Sequence, residues 1–448
     1  MGEPADSALS PQQEKLLGRE FMRQIRAQLP LIRDTLSNEY VNNLGQKLVA
    51  SAENRGDGDF NFFIINDISI NAFAIPGGYI GINAGLVDAM RREEQLAGVI
   101  AHEVAHVTQR HHARAFASAG KNRMSTAAAI LAAIVIGASS PEAGQAALAA
   151  GLAISQQTSI NYTRAHEYEA DRIGIRILSD ANLDPAAIAE TFEILRRRNS
   201  LNTSSDQIEY LRTHPLDSNR IAEARSRASG LDKPTHANPQ LDFALFKARL
   251  AVLASRDNAT VQRTLQARFA RDANHADAYA LALIDTRSKN FKRAEEYLQG
   301  AVDEHPDNLY IRLLQAQLLF EQKREEESLE IHEQLLSVYP GRYPVVEQYA
   351  DQLVSQRRLE EAAQLLRRYQ RSTASPNTLA WRELANIQER LGLRSESHES
   401  LAHYFLELNE LARAQQQLEL ALRETDRGSS DELRLTAQLR QVRKQLER

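Results

Sequence analysis

Residues 93–108 read Glu-Glu-Gln-Leu-Ala-Gly-Val-Ile-Ala-His-Glu-Val-Ala-His-Val-Thr, and the stretch His102-Glu103-Val104-Ala105-His106 within them decides how the rest of the chain is read. Leu96, Val99, Ile100, Val104 and Val107 recur at helical spacing and predict a helix with an apolar face. Glu93 and Glu94 suit its positive N-terminal end. Residues four apart share a helix face, so His102 and His106 can aim both imidazoles at one ion. Zinc accepts neutral imidazole nitrogen well. Glu103, beside them, is placed to act as general base toward a water and not as a ligand. A polar motif on a largely apolar helix costs free energy unless something pairs with it, and a metal supplies that pairing. The pattern is that of a zinc metallopeptidase helix; the plainer alternative is a surface helix with two stray histidines.

A catalytic zinc site takes a third protein ligand. His112 stands six residues after His106, as in the metzincin pattern, but that pattern needs a glycine midway and here the residue is Gln109. No Gly or Pro stands between His106 and Gly120, so the helix is expected to continue and to turn His112 about 120° away from His106. The other option lies in Tyr162-Thr163-Arg164-Ala165-His166-Glu167-Tyr168-Glu169-Ala170-Asp171. Glu167 and Asp171 share a helix face, so Glu167 can bind zinc while Asp171 accepts the ring N–H of a ligand histidine and fixes its orientation. Glu169 faces elsewhere and reads as a solvated charge, His166 as structural or exposed.

His-Glu-x-x-His followed by Arg-x-x-Glu-Tyr-x-Ala-Asp resembles the gluzincin family of the heat-shock, mitochondrial Oma-type and CAAX prenyl proteases. Asn71-Ala72-Phe73-Ala74-Ile75-Pro76-Gly77-Gly78-Tyr79-Ile80 and Thr213-His214-Pro215 with Asn219-Arg220-Ile221 match two further blocks. The resemblance covers about residues 10–230. It implies that His102, His106 and Glu167 bind one Zn2+ per chain, that Glu103 is the base, and that Asp171 supports a ligand. It implies that Asn71, Ala72, Phe73 and Ala74 belong to an edge strand that aligns substrate. It also implies that His214 can reach the zinc and make the enzyme latent, and that Arg220 lines the cleft and stabilises the oxyanion. An alternative for His214 is a loop-anchoring residue. With a repeat tail added, the resemblance implies a periplasmic protease whose partners are unfolded or misassembled proteins and the outer-membrane β-barrel assembly machinery.

The 448 residues exceed what one domain usually holds. Composition is ordinary, with 43% hydrophobic and 25% charged residues, and a net charge of −5 gives no field for nucleic acid. The chain has no cysteine, which excludes disulfides, thiolate ligands and a cysteine nucleophile without fixing the compartment. Met1-Gly2-Glu3-Pro4-Ala5-Asp6 carries no signal peptide, and Asp6 breaks the myristoylation pattern. That start fits a cytoplasmic protein or one from which a signal has been removed; the resemblance favours the second.

Residues 1–10 are expected to be disordered and 11–230 to form the peptidase domain. Residues 12–29 and 36–52 have helical periodicity, 59–66 and 71–82 read as strands, and Pro76-Gly77-Gly78 links two paired ones. Residues 126–155 form two small-residue apolar runs, too short to span a bilayer. They read as a helical hairpin packed on the body, or as a lid in peripheral contact with a membrane. Pro, Asn, Gly and Asp mark a linker at 231–239. From 240 to 448 paired amphipathic helices follow. Pro306 and Pro340 are 34 residues apart, and segments 275–308, 309–342, 343–377 and 378–410 give the period of tetratricopeptide repeats. Such pairs stack into a solenoid that docks peptides or partners. The fold class expected is α+β, predominantly α: a peptidase of helices plus a small sheet, then an all-α repeat domain. Zinc-dependent endopeptidase is the first functional reading. A chaperone-like assembly scaffold with a mainly structural zinc is the alternative.

Overall fold

The structure is a computed structural model and describes residues 9–53, 59–118, 156–201, 208–232, 234, 240–373 and 377–446. The hairpin expected at 126–155, the turn at 54–58 and residues 1–8 of the stretch 1–10 expected to be disordered lie outside these residues, whereas Leu9 and Ser10 of that stretch are placed, Ser10 as the cap of the first helix. The described chain forms two compact units, 1–280 and 281–448.

In the first unit, α1 (Pro11–Gln28) starts where Ser10 and Gln13 form a reciprocal capping box, with Pro11 in the first turn. In α2 (Thr35–Ala50), the Asp34 side chain accepts from the Ser37 N–H. Strands β1 (Asn61–Ile65), β2 (Ala72–Ile75) and β3 (Tyr79–Asn83) form a sheet in the order β1-β3-β2. β3 runs parallel to β1 and antiparallel to β2. The turn between β2 and β3 requires glycine, because Gly77 and Gly78 take φ of +83° and +85°. Phe63, Ile65, Phe73 and Ile75 from the sheet and Phe21, Met22 and Ile25 from α1 make one core.

Helices α3 (Ala84–Ala89) and α4 (Glu93–Thr108) follow. Every residue of α4 from Glu94 to His106 is buried, so it is enclosed all round and not an amphipathic surface helix. The expected continuation of α4 toward Gly120 does not occur. The helix ends at Thr108, Arg110 takes φ +52°, and α5 (His111–Ser118) starts anew. Arg110 tolerates the left-handed conformation without a glycine because its side chain is anchored to the Leu9 carbonyl at 2.7 Å and to Glu14 at 3.4 Å.

Helix α6 (Gln156–Asp180) packs along α4, and α7 (Ala187–Leu201), α8 (Glu209–Thr213) and α9 (Ser218–Ala228) complete the frame. Gly174 permits the close approach of α6. A Cβ there would lie 3.2 Å from the His102 backbone nitrogen and 3.2 Å from Ile188. The first unit also takes in α10 (Gln240–Ala254) and α11 (Asn258–Phe269), beyond the linker expected at 231–239. Arg249 pairs through both arms with Asp34 and reaches the Tyr279 hydroxyl at 3.0 Å, and Phe246 stacks on Tyr40 at 4.4 Å.

The second unit is built of helix pairs. They are α13 (Phe291–Glu304) after α12 (His275–Arg287), then α14 (Leu309–Glu321) with α15 (Glu325–Val338) and α16 (Tyr343–Ser355) with α17 (Leu359–Ser372). α18 (Thr378–Arg390) with α19 (Arg394–Glu407) and α20 (Leu411–Arg423) with α21 (Ser430–Leu446) complete them. The helix starts at His275, Leu309, Tyr343 and Thr378 coincide with the starts of the four segments read from the period. Among the described residues no helix is long and apolar enough to cross a membrane.

Candidate metal centre

The motif helix α4, the long helix α6 and the turn after α8 bring four side chains to one point. One ligand atom each of His102, His106, Glu167 and His214 lies within 4.8 Å of all the others, and all four residues are buried. His102 Nε2 is 3.0 Å from His106 Nε2 and 3.3 Å from Glu167 Oε2. His106 Nε2 is 3.4 Å from Glu167 Oε1. His214 Nδ1 is 3.3 Å from His102 Nε2 and 3.1 Å from Glu167. Ligands of a tetrahedral zinc bound at its usual distances stand about 3.3 Å apart. The donor set and its spacing therefore fit such an ion.

The surrounding groups orient these donors. Asp171 Oδ1 lies 2.9 Å from His102 Nδ1. Arg220, only 2% exposed, grips both oxygens of Asp171 at 2.7 and 2.8 Å, donates to the Pro215 carbonyl at 2.7 Å and lies 3.1 Å from Glu167. Its donors face these partners, which is the geometry of a group that positions others. Burial pulls the pKa of His102 down, but Asp171 and Glu167 overcome it and hold the ring's pKa up at about 10. Burial also acts on Glu167, yet His214, His102 and His106 keep it well below the usual carboxylate range. Burial, with His102 and His214 nearby, lowers His106 to about 3 and leaves it neutral, so the negative charge beside the donors comes from Glu167 and Asp171, as a cation site requires.

Glu103 is 1% exposed, and burial raises its pKa. Its Oε1 has no hydrogen-bond partner and lies 3.4 Å from His214 Nε2. The N–H of Ala74 favours its charged form. Ala72 and Ala74 sit on the outer side of edge strand β2, because Asn71 belongs to the set whose carbonyls face β3: its oxygen accepts from the Asn83 N–H at 3.0 Å. Asn71, Ala72, Phe73 and Ala74 are all buried, so this edge is closed to solvent.

His112 lies outside the cluster, with the Ala74 carbonyl acting on it. The break at Arg110 instead turns His111 back onto the site. His111 Nδ1 is 3.0 Å from His106 Nδ1, its Nε2 is 3.2 Å from Glu169, and its ring stacks on His166 at 4.2 Å. Glu169, read from the sequence as a solvated charge, is thus a partner of His111 and of Arg114 at 2.8 Å. Tyr210 was also missed. Its ring stacks on His214 at 4.5 Å, and its hydroxyl is buried without a partner among the described residues. The one sequence signal was its place four residues before His214, which puts two rings on one side of a helical turn.

Buried histidines four apart on one helix, a carboxylate from a second helix and a buried glutamate beside them define a metallopeptidase. Residues 35–228 match the model of peptidase family M48, and residues 285–348 that of a tetratricopeptide repeat. A putative beta-barrel assembly-enhancing protease of Vibrio cholerae is 35% identical over 404 residues, 88% of this chain and 82% of that one. The beta-barrel assembly-enhancing protease of Escherichia coli K12 is 32% identical over 452 residues, 100% of this chain and 91% of that one. A mitochondrial metalloendopeptidase of Schizosaccharomyces pombe, OMA1, is 29% identical over 182 residues, 41% of this chain and 50% of its own. The chain belongs to peptidase family M48, in the group of the beta-barrel assembly-enhancing proteases. It is a metalloendopeptidase with a repeat domain, and its family implies a divalent metal.

Proposed function

We propose that the enzyme takes zinc on His102, His106 and Glu167, hydrolyses peptide bonds of misfolded or stalled proteins, and is held at rest by His214. The observation that carries this is the convergence of four buried side chains, one ligand atom of each lying within 4.8 Å of the others. Zinc bound there supplies Lewis acidity to the scissile carbonyl and to the attacking water. With His214 moved away, Glu103 takes the water's proton on its Oε1 and delivers it to the leaving amine, for which its raised pKa suits it. Asp171 fixes the His102 ring, and Arg220 holds Asp171 in place; we assign Arg220 this positioning role ahead of oxyanion binding. Once this closed edge is opened and Ala74 is released from Glu103 and His112, the outer side of β2 at Ala72 and Ala74 pairs with the substrate backbone, which demands little sequence specificity. His214 stands between Glu103 and Glu167, in the space that water and substrate need. Cleavage therefore requires the α8–His214 segment to move.

The named relatives support work in β-barrel assembly, and with it a periplasmic location and docking of assembly machinery on the repeats. A scaffold with a structural zinc is the second reading, and the closed set of four donors favours it. Glu103, buried beside the donors but not one of them, speaks for the enzyme, since a structural site has no use for a base.

The test is cleavage of an unfolded protein by wild type, Glu103→Gln and His214→Ala, with metal content measured on each. Glu103→Gln is expected to keep its zinc and lose at least a hundredfold in rate. His214→Ala is expected to cleave faster than wild type. Zinc bound without cleavage in any variant would favour the scaffold, and an unchanged rate in His214→Ala would remove the latch.

A further inference from the structure

Among the described residues, two cavities of the second unit lie at the same place in its repeat. One, of about 280 Å³, is lined by Arg312 and Gln334 among others; the second, of about 480 Å³, is lined by Trp381 and His403. Arg312 and Trp381 are each the fourth residue of the first helix of a pair, and Gln334 and His403 each the tenth of the second helix. The paired positions touch in both repeats. Arg312 donates to Gln334 at 2.6 Å, and Trp381 stacks on His403 at 4.3 Å. The fold thus makes the same recess twice, and the side chains decide what each holds.

The larger recess departs from what packing needs. Trp381 is the chain's sole tryptophan, is half-buried, and belongs to neither neighbouring core cluster among the described residues. A large aromatic that lines a cavity without entering the core is a feature of binding surfaces. The lining carries Glu396, Glu399, Glu424, Asp426 and Asp431 against Arg367 and Arg434. Both guanidiniums are engaged within the wall, Arg367 by Glu396 and Arg434 by Glu399 and Asp431. Glu424 and Asp426 are exposed and make no ion pair among the described residues. Burial lowers the pKa of His403, so its ring adds no competing positive charge at neutral pH. The volume lies in the range of small-ligand pockets, about 300–1,000 Å³.

We propose that this recess binds a cationic side chain, arginine or lysine, of an unfolded protein segment, with Trp381 as its aromatic platform and Glu424 and Asp426 as its counter-charges. An aromatic face and unpaired carboxylates are the two groups that recognise a cation together. This deepens the docking reading of the repeats and does not depend on the metal centre.

The recess carries its own reporter, since all tryptophan fluorescence of the chain comes from Trp381. The full chain carrying Glu103→Gln, which prevents cleavage, is titrated with a capped Gly-Arg-Gly-Arg-Gly peptide and with its Gly-Glu-Gly-Glu-Gly counterpart. The arginine peptide is expected to change the fluorescence saturably, more weakly as salt rises, and the glutamate peptide to leave it unchanged. Glu424→Gln with Asp426→Asn, both at exposed positions that leave the fold intact, is expected to weaken binding by about threefold or more. Trp381→Phe, followed by anisotropy of a dye-labelled arginine peptide, is expected to lose about threefold or more. A flat signal with the arginine peptide, equal binding of the glutamate peptide, or unchanged affinity in the double variant overturns the proposal. Normal cleavage by wild type alongside any of these leaves the metal-centre reading standing, so the two fail separately.

Discussion

Tyr210 shows how a single residue separates stability from activity. Its hydroxyl is buried beside the four-donor cluster with no partner among the described residues, and a lone buried hydroxyl costs about 1–3 kcal/mol. Burial, with Glu103 and Glu167 nearby, pushes its pKa far up, so the group stays a neutral donor. Tyr210→Phe keeps the stacking on His214 and removes the unsatisfied group. It is expected to stabilise the peptidase unit by about 1 kcal/mol, seen as a higher thermal midpoint. If the hydroxyl is kept for the substrate's carbonyl, the same variant cleaves more slowly once His214 is also removed. A lower midpoint for Tyr210→Phe would show that the hydroxyl has a partner in the folded state. The residues that the motif names were legible at this scale: His102, His106, Glu167 and Asp171 come together as their spacing requires. Tyr210 and His111 were not, because neither is part of a spacing that chemistry demands.

Among the elements, the repeats are held in register by their turns. Lys289, Lys323, Arg357 and Gly392 follow the first helices of successive pairs, and each takes a left-handed φ, between +62° and +76°. The backbone closes each end in the same way, with the Asn290, Arg324, Arg358 and Leu393 N–H groups donating to Asp285, Leu319, Leu353 and Gln388 carbonyls at 2.8–2.9 Å. Only one of the four is glycine, so the sequence hid the signal that usually marks such a turn. Arg357 is exposed and pays the left-handed cost of about 1 kcal/mol. Arg357→Gly is expected to raise the urea midpoint of the repeat unit by an amount equivalent to about 1 kcal/mol; a lower midpoint would mean that its side chain contributes more than its backbone costs. The break after α4 follows the same principle: Arg110 takes a left-handed turn that no glycine announced, and an anchor on Leu9 and Glu14 stabilises it.

At the scale of the whole molecule, the two units are expected to respond to pH separately. In the repeat unit, burial and the neighbouring Asp351 raise Glu383 to about 8, while the Tyr343 hydroxyl bonds it at 2.9 Å. Its ordinary value is 4.5, so between these limits the folded unit holds a proton that the unfolded chain has released. This group's contribution to stability is therefore full below about pH 4.5 and is lost as pH rises toward 8, by on the order of 5 kcal/mol at most. Trp381 lies two residues away and reports the transition. Glu383→Gln is expected to flatten the dependence, and a midpoint of wild type that rises from pH 5 to 8 would contradict it.

The sequence by itself determined the motif helix, the carboxylate helix that completes the donor set, the paired strands around Pro76-Gly77-Gly78 and the 34-residue period. Each is a local regularity, written in spacings of 3.6, 2 or 34 that survive whatever surrounds them. Only the tertiary structure decided that His214 sits against Glu167 and Glu103, that His111 turns back onto His106, that the edge of β2 is closed, and that α10 and α11 pack with the peptidase unit. His102 and His214 are 112 positions apart and their ring nitrogens 3.3 Å apart. Contacts at that separation are set by how helices pack on one another, through close approaches such as that at Gly174, and no local pattern encodes them.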